Sequence, residues 1–136
     1  MKTKFGVILA ALGVLALTVP ALAHHSWPVE YDAKKPITIK GVVSKVEWTN
    51  PHTHFYVDVK DDKGTVTNWN LELASPNVLT RQGWTRNSLH VGDQITVEGS
   101  MAKDGSKMAN ARSVVLANGK KVFAGSSGGD QPPPPQ

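Results

Sequence analysis

An apolar run near the N-terminus indicates that the first residues are removed and that only the remainder of the chain folds. The stretch from Phe5 to Val19 follows two lysines and is too short to span a bilayer as a stable helix. It is followed by Ala21-Leu22-Ala23, which has the small-x-small pattern of a signal peptidase site. Residues 1–23 are therefore predicted to be a signal peptide. Cleavage would leave 113 of the 136 residues and expose His24 at the new N-terminus.

The mature chain would be nearly neutral and would lack cysteine. The full chain has a formal charge of +4, and loss of two lysines would leave 13 basic against 11 acidic residues. This balance does not indicate a nucleic-acid surface, so no nucleic-acid partner is expected. The absence of cysteine excludes disulfides, thiolate metal sites and thiol nucleophiles. No second long apolar run follows, so we expect a periplasmic protein with no membrane insertion after cleavage.

Alternating apolar and β-branched residues predict five strands and one short helix. The helix is expected to start with Ser75 as N-cap and Pro76 at its first position, and to end before Gly83. Gly41 indicates a bulge or a sharp coil within the first strand. The predicted strands are Thr38–Trp48, His54–Val59, Thr65–Leu73, Gln94–Gly99 and Ala109–Leu116.

Three strands, a short helix and two further strands is the order of an OB-type small barrel. The predicted fold class is all-β, a five-stranded OB-like barrel with one short helix; an open β-sandwich is the main alternative. The predicted boundaries are a signal peptide at 1–23, an N-terminal arm at 24–35, the barrel at 36–124 and a tail at 125–136. The tail is predicted to be disordered because its Gly, Ser, Asp, Gln and Pro residues cannot bury a core.

The histidines predict a metal site. A free N-terminal His24 would offer an amine and an imidazole nitrogen, both good ligands for Cu(II). With the ring of His52 they would surround copper with three nitrogens, an arrangement that resembles a histidine brace, and His25 would be a substitute ligand. His54, at the start of an aromatic strand, is interpreted as a packing residue. His90, in a glycine-containing turn, is interpreted as exposed.

The sequence contains none of the common catalytic motifs. It has no G-x-S-x-G, no H-E-x-x-H and no glycine-rich phosphate loop, so the protein is predicted not to be an enzyme and no catalytic residue is assigned. Four isolated carboxylates are interpreted as surface charges rather than as an acid/base pair. They are Glu30, Asp32, Glu47 and Glu72.

Two functions follow from these observations. The first is a periplasmic protein that binds copper for storage, delivery or sensing. The second is a non-enzymatic interaction module without metal, whose barrel binds a periplasmic protein, a peptide or another envelope component. In that case the histidines would be an ordinary polar chain end and an ordinary turn. Trp48 and Trp69 are expected in the core, and Trp84 at one end of the barrel.

Several motifs together resemble a family of small exported bacterial proteins of unknown function. They are the H-H-S start at His24, the sequence from Glu47 to His52, the strand from Phe55 to Val59, Gly83-Trp84, and Leu89-x-Val91-Gly92-Asp93. The resemblance covers roughly residues 24–124 and implies a periplasmic protein with an OB-like barrel, but no particular activity. Members usually carry an aromatic residue where this chain has His54, which favours His24, His25 and His52 as ligands.

Overall fold

The computed structural model describes residues 30–125, which form six strands and one helix. The elements are β1 (Tyr31–Glu47), β2 (His54–Lys60), β3 (Val66–Glu72), α1 (Pro76–Arg81), β4 (Gln94–Ala102), β5 (Met108–Val115) and β6 (Lys121–Phe123). The predicted signal peptide, His24, His25 and residues 126–136 lie outside the described residues. Within 30–125, no helix combines the length and the apolar composition needed to cross a membrane.

The strands close into a ring. Neighbours pair in the order β3-β2-β1-β4-β5, and a parallel pairing of β3 with β5 joins the two ends. The other contacts between these five strands are antiparallel. This is the closed, five-stranded arrangement of an OB-like barrel, so the predicted fold class is confirmed and the open sandwich is not formed. The three-residue β6 adds to β5 as a sixth strand that the sequence did not predict.

The first strand is longer than predicted and strongly coiled. It has 17 residues and starts at Tyr31, seven residues before the predicted start. Its first part pairs only with β4, and its last part pairs with β2. A register shift between Val43 and Lys45 marks a bulge. Gly41 lies at the close approach to β2, because a Cβ atom there would be 2.3 Å from the carbonyl oxygen of Asp58.

The short helix follows the local signals in the sequence. The Ser75 hydroxyl accepts a hydrogen bond from the backbone N–H of Val78 at 3.4 Å, and Pro76 occupies the first turn. Gly83 has a φ of +93°, a left-handed conformation that favours glycine just after a helix. The predicted helix is therefore confirmed.

The core fills the inside of the ring. Phe55, Val57 and Leu71 are completely buried, and Trp69 is buried beside them. Trp84 is also buried, and its indole N–H donates to the carbonyl oxygen of Phe123 at 2.7 Å. The further core members come from β1, β4, β5 and the segment around α1. Alternation along β2 and β3 then directs the intervening side chains away from the core, and the candidate site is built from these residues.

Candidate functional site

A buried carboxylate organises the outward-facing side of β3. Glu72 follows Leu71, a core residue, so its side chain lies on the opposite face of the strand. It is nevertheless only 5% exposed, because Tyr31 from the start of β1 lies over it and β5 pairs alongside. A charged group is rarely buried to this extent unless it is paired.

Both oxygens of the Glu72 carboxylate accept hydrogen bonds. The Tyr31 hydroxyl donates to Oε2 at 2.7 Å, and the Nδ1 atom of His52 lies 2.8 Å from Oε1. The Asn110 amide also contacts the backbone carbonyl of Glu72, at 3.5 Å. Charge-assisted bonds of this kind are stronger than neutral ones and have short donor–acceptor distances. The carboxylate therefore joins the beginning of β1 to the segment that leads into β2.

Tyr31 is a fixed hydrogen-bond donor in this group. Its side chain is almost fully buried, and this burial raises the pKa of the phenol far above its ordinary value. The hydrogen bond to Glu72 and the negative charge of that carboxylate raise the pKa further. The hydroxyl therefore remains protonated at any physiological pH and holds the carboxylate in one orientation.

The His52 side chain is held at one nitrogen and open at the other. It is 30% exposed, and Nδ1 is the ring atom that faces Glu72. The Glu72 carboxylate is an acceptor, and Tyr31 already donates to its other oxygen. The proton shared with His52 is therefore on Nδ1. No described residue forms a hydrogen bond with Nε2. This is the orientation that metal-binding histidines adopt, with one nitrogen bonded to a carboxylate and the other free to coordinate.

His54 lies on the same face, two residues along the chain. Its Nδ1 atom is 2.9 Å from the side-chain oxygen of Asn70. In the strand register it lies opposite Glu72 on one side and Glu47 on the other. The half-buried position of His54 agrees with its interpretation as a packing residue. Packing is not its only contact, because one ring nitrogen has a polar partner.

A second polar group continues this face towards β1. The Tyr56 hydroxyl donates to Glu47 at 3.2 Å, and Lys45 pairs with the same carboxylate. The Lys45 ammonium also lies 5.1 Å from the centre of the Tyr56 ring. The hydrogen bond from Lys45 lowers the pKa of Glu47, so this carboxylate remains charged beside His54.

The structure brings together only part of the predicted metal site. His52 is in a suitable orientation, whereas His24 and His25 are not among the described residues. His90 is exposed in the turn before β4, with Nδ1 3.7 Å from the Asp93 carboxylate, as expected for a surface residue. Within 30–125, no three His, Cys, Asp or Glu side chains are grouped to hold a metal ion.

The interpretation of Glu72 as a surface charge is wrong. The carboxylate is buried because Tyr31, 41 residues earlier in the chain, covers it. The signal in the sequence was present but weak, since Glu72 stands within the apolar run Leu71 to Ala74. A charged residue flanked by core positions on both sides indicates a buried partner. Tyr31 itself had no sequence signal, because it lies in the segment assigned to an arm.

A groove of about 610 Å³ lies at the far end of β2 from the histidines. Lys40 and Lys60 bring positive charge to its walls, and Asp58 and Asp93 bring negative charge. Apolar side chains such as Val42, which is 37% exposed, form part of its surface. No local pattern in the sequence indicates this groove, because its walls come from four different strands.

The fold has likenesses among solved structures. Two crystal forms of Rim1, a mitochondrial single-stranded DNA binding protein from S. cerevisiae, match with TM-scores of 0.47 and 0.45, each at 11% identity. Each match covers 60% of this chain, and 92% and 91% of the respective Rim1 chains. The expectation that nucleic acid is not a partner is contradicted by this comparison and is withdrawn. At this identity the likeness concerns the fold alone. No match was found among curated proteins.

A family model provides the assignment of the chain. It matches residues 11–111, which include β1 to β4, the buried Glu72 and the His52 that it orients. The match thus extends over about three quarters of the sequence, and it agrees with the resemblance carried by the sequence motifs. The protein therefore belongs to a family of unknown function, DUF6152.

Proposed function

We propose that this protein is an exported, non-enzymatic module that binds one Cu(II) ion. The ligands are the His24 amine and imidazole together with the imidazole of His52, and His25 is a substitute ligand. The observation that carries the proposal is the hydrogen bond from His52 Nδ1 to Glu72, 2.8 Å long, with Tyr31 on the other carboxylate oxygen.

The orientation of His52 supports a role as ligand rather than a role in packing. A packing histidine needs no fixed tautomer, whereas a metal ligand needs a lone pair at a defined atom. Bonding of Nδ1 to Glu72 leaves the lone pair on Nε2, and the ring is 30% exposed. A buried carboxylate behind an accessible imidazole is the usual outer-shell support of a metal site.

The position of Tyr31 supports the participation of the N-terminal residues. Tyr31 and His52 contact the same carboxylate, so the start of β1 is adjacent to the proposed ligand. His24 precedes Tyr31 by seven residues. Seven residues span at most about 23 Å, so chain length alone permits the N-terminal nitrogens to reach His52.

The chemistry of the donors favours copper. Three nitrogen ligands suit Cu(II), which binds more tightly than the other common divalent ions at such sites. An N-terminal amine ordinarily has a pKa of about 7.7–8.0 and an imidazole one of about 6.5, so both lose their protons readily near neutral pH. Binding should weaken as the pH falls through the imidazole range, because protons then compete for the nitrogens.

The test is a copper titration of the mature protein with two alanine variants. His52→Ala should weaken Cu(II) binding at least tenfold, because it removes one of three nitrogens. His90→Ala is the matched control, an exposed histidine in a turn, and should leave the affinity unchanged. Equal affinity in all three proteins would overturn the proposal.

The second candidate is the interaction module without metal, and the groove at Lys40 and Lys60 supports it. The groove combines an apolar surface with charges of both signs, which suits a partner of mixed polarity better than a simple ion. If copper affinity is the same in every histidine variant, this candidate takes the place of the first. Substitution of Val42 by Asp should then disrupt partner binding without changing the fold, since Val42 is partly exposed.

A further inference from the structure

We propose that His52 and His54 chelate a metal ion together through their Nε2 atoms. This inference deepens the proposed function and rests on it for the identity of the ion. His54, which the sequence pattern predicts to be a packing residue, would then have a role in binding.

The two histidine rings lie on a common face of the barrel. Thr53, between them, is only 2% exposed, whereas both histidines are partly exposed. The backbone at Thr53 is hydrogen bonded to Leu73 and Ala74, which continues the pairing of β2 with β3 beyond His54. In this extended backbone, residues two apart lie on one side with a rise of about 6.7 Å. Two imidazole side chains at that separation can converge on one ion.

Both rings have a polar partner at the same nitrogen atom. His52 Nδ1 is 2.8 Å from a carboxylate oxygen of Glu72, and His54 Nδ1 is 2.9 Å from the amide oxygen of Asn70. Neither oxygen is a donor, so each Nδ1 must carry the proton. In both neutral rings the lone pair is therefore on Nε2. Two neighbouring imidazoles that are oriented by these contacts before any metal binds make a preorganised chelate.

Negative charge surrounds His54. The strand register places Glu47 and Glu72 on either side of it. Lys45 forms an ion pair with Glu47, and the Tyr56 hydroxyl donates to the same carboxylate. Negative charge on both sides favours a bound cation, while the two carboxylates remain occupied by Lys45, Tyr56, Tyr31 and His52. The imidazole nitrogens are then the donors that remain.

The test is the number of imidazole nitrogens coupled to Cu(II), measured by pulsed electron paramagnetic resonance on the mature protein. His54→Phe keeps a ring of similar shape and removes the nitrogens. It should lower the imidazole count by one and raise the dissociation constant at least tenfold. His90→Phe is the matched control, the same substitution at an exposed histidine in the turn before β4, and should change neither value. Thermal unfolding of both variants verifies that the fold is kept.

A second protein separates this inference from the proposed function. His24→Ala combined with His25→Ala removes the N-terminal imidazoles and keeps the barrel. Weak Cu(II) binding with two coupled imidazoles is expected there, and it should disappear when His54→Phe is added. If the mature protein binds copper but His54→Phe leaves the affinity and the imidazole count unchanged, the chelate is refuted and the proposed function stands. If the mature protein binds no copper, both are refuted.

Discussion

Replacement of Glu72 by glutamine perturbs the carboxylate that joins Tyr31 to His52 with little change in volume. The carboxylate accepts two hydrogen bonds, from the Tyr31 hydroxyl at 2.7 Å and from His52 Nδ1 at 2.8 Å. A glutamine amide offers one oxygen and one NH₂ group. One of the two present donors must then face another donor, or must change its own hydrogen-bonding state.

The expected loss of stability follows from burial and charge. Hydrogen bonds to charged groups contribute about 1.5–3 kcal/mol each, and burial leaves water little access to replace them. Since the amide oxygen keeps one of the two bonds, Glu72→Gln should lower the free energy of unfolding by about 1.5–3 kcal/mol. For a domain of this size that corresponds to a fall in Tm of roughly 10 °C.

The same substitution should weaken copper binding. If the NH₂ group faces His52, the ring must accept at Nδ1 and carry its proton on Nε2, the atom proposed to bind metal. Loss of an outer-shell partner typically costs tenfold to a hundredfold in affinity. The assays are urea unfolding of the metal-free protein and a Cu(II) titration at a temperature where the variant is fully folded.

Glu98→Gln is the matched control. Glu98 also has two partners, Ser113 Oγ at 2.9 Å and Lys121 Nζ at 2.8 Å, but its side chain is 40% exposed. Exposed pairs contribute no more than about 1 kcal/mol, and this carboxylate does not touch a histidine. Equal stability losses for the two variants would refute the reasoning from burial. Unchanged copper affinity in Glu72→Gln would refute the role of the tautomer.

Three further predictions follow from the fold. Gly41→Ala should destabilise the protein by more than about 2 kcal/mol, because its Cβ would lie 2.3 Å from the carbonyl oxygen of Asp58. Gly105→Ala, in a turn with open space, should lower the stability less in the same thermal unfolding assay. The raised pKa of Tyr31 stabilises the folded protein below pH about 10 and loses this effect as the pH rises further, because the unfolded phenol then ionises. Urea unfolding at pH 8 and pH 11 should therefore show the stability difference between wild type and Tyr31→Phe becoming smaller at the higher pH, and a constant difference would contradict this. Deletion of residues 126–136 should leave Tm unchanged within about 2 °C, because their composition offers little apolar surface to the core; a larger fall would contradict that.

The features predicted correctly from sequence are those that local signals determine. The helix depends on Ser75, Pro76 and Gly83, which act within a few residues of one another. The order of the strands follows from alternating side chains and from turn residues, and the OB-like closure follows from that order. These features need no knowledge of distant contacts.

The features that were missed depend on contacts between distant segments. Tyr31 belongs to β1 because it pairs with Ala102 at the end of β4, and the lysines and proline that follow it gave no strand pattern. The three residues of β6 are too few for a periodicity to appear. Glu72 is buried only because Tyr31 reaches it across the fold. The polar contacts of His52 and His54 were missed for the same reason.

The central claim is a copper site that combines a free N-terminal histidine with His52. The most direct measurement is a Cu(II) titration of exported protein whose intact mass establishes a start at His24, beside the same protein with one glycine added before His24. The added residue keeps every histidine and displaces only the amine. The account predicts a dissociation constant at least tenfold higher for the extended protein. Equal affinity of the two proteins, or an intact mass that retains residues 1–23, would contradict it.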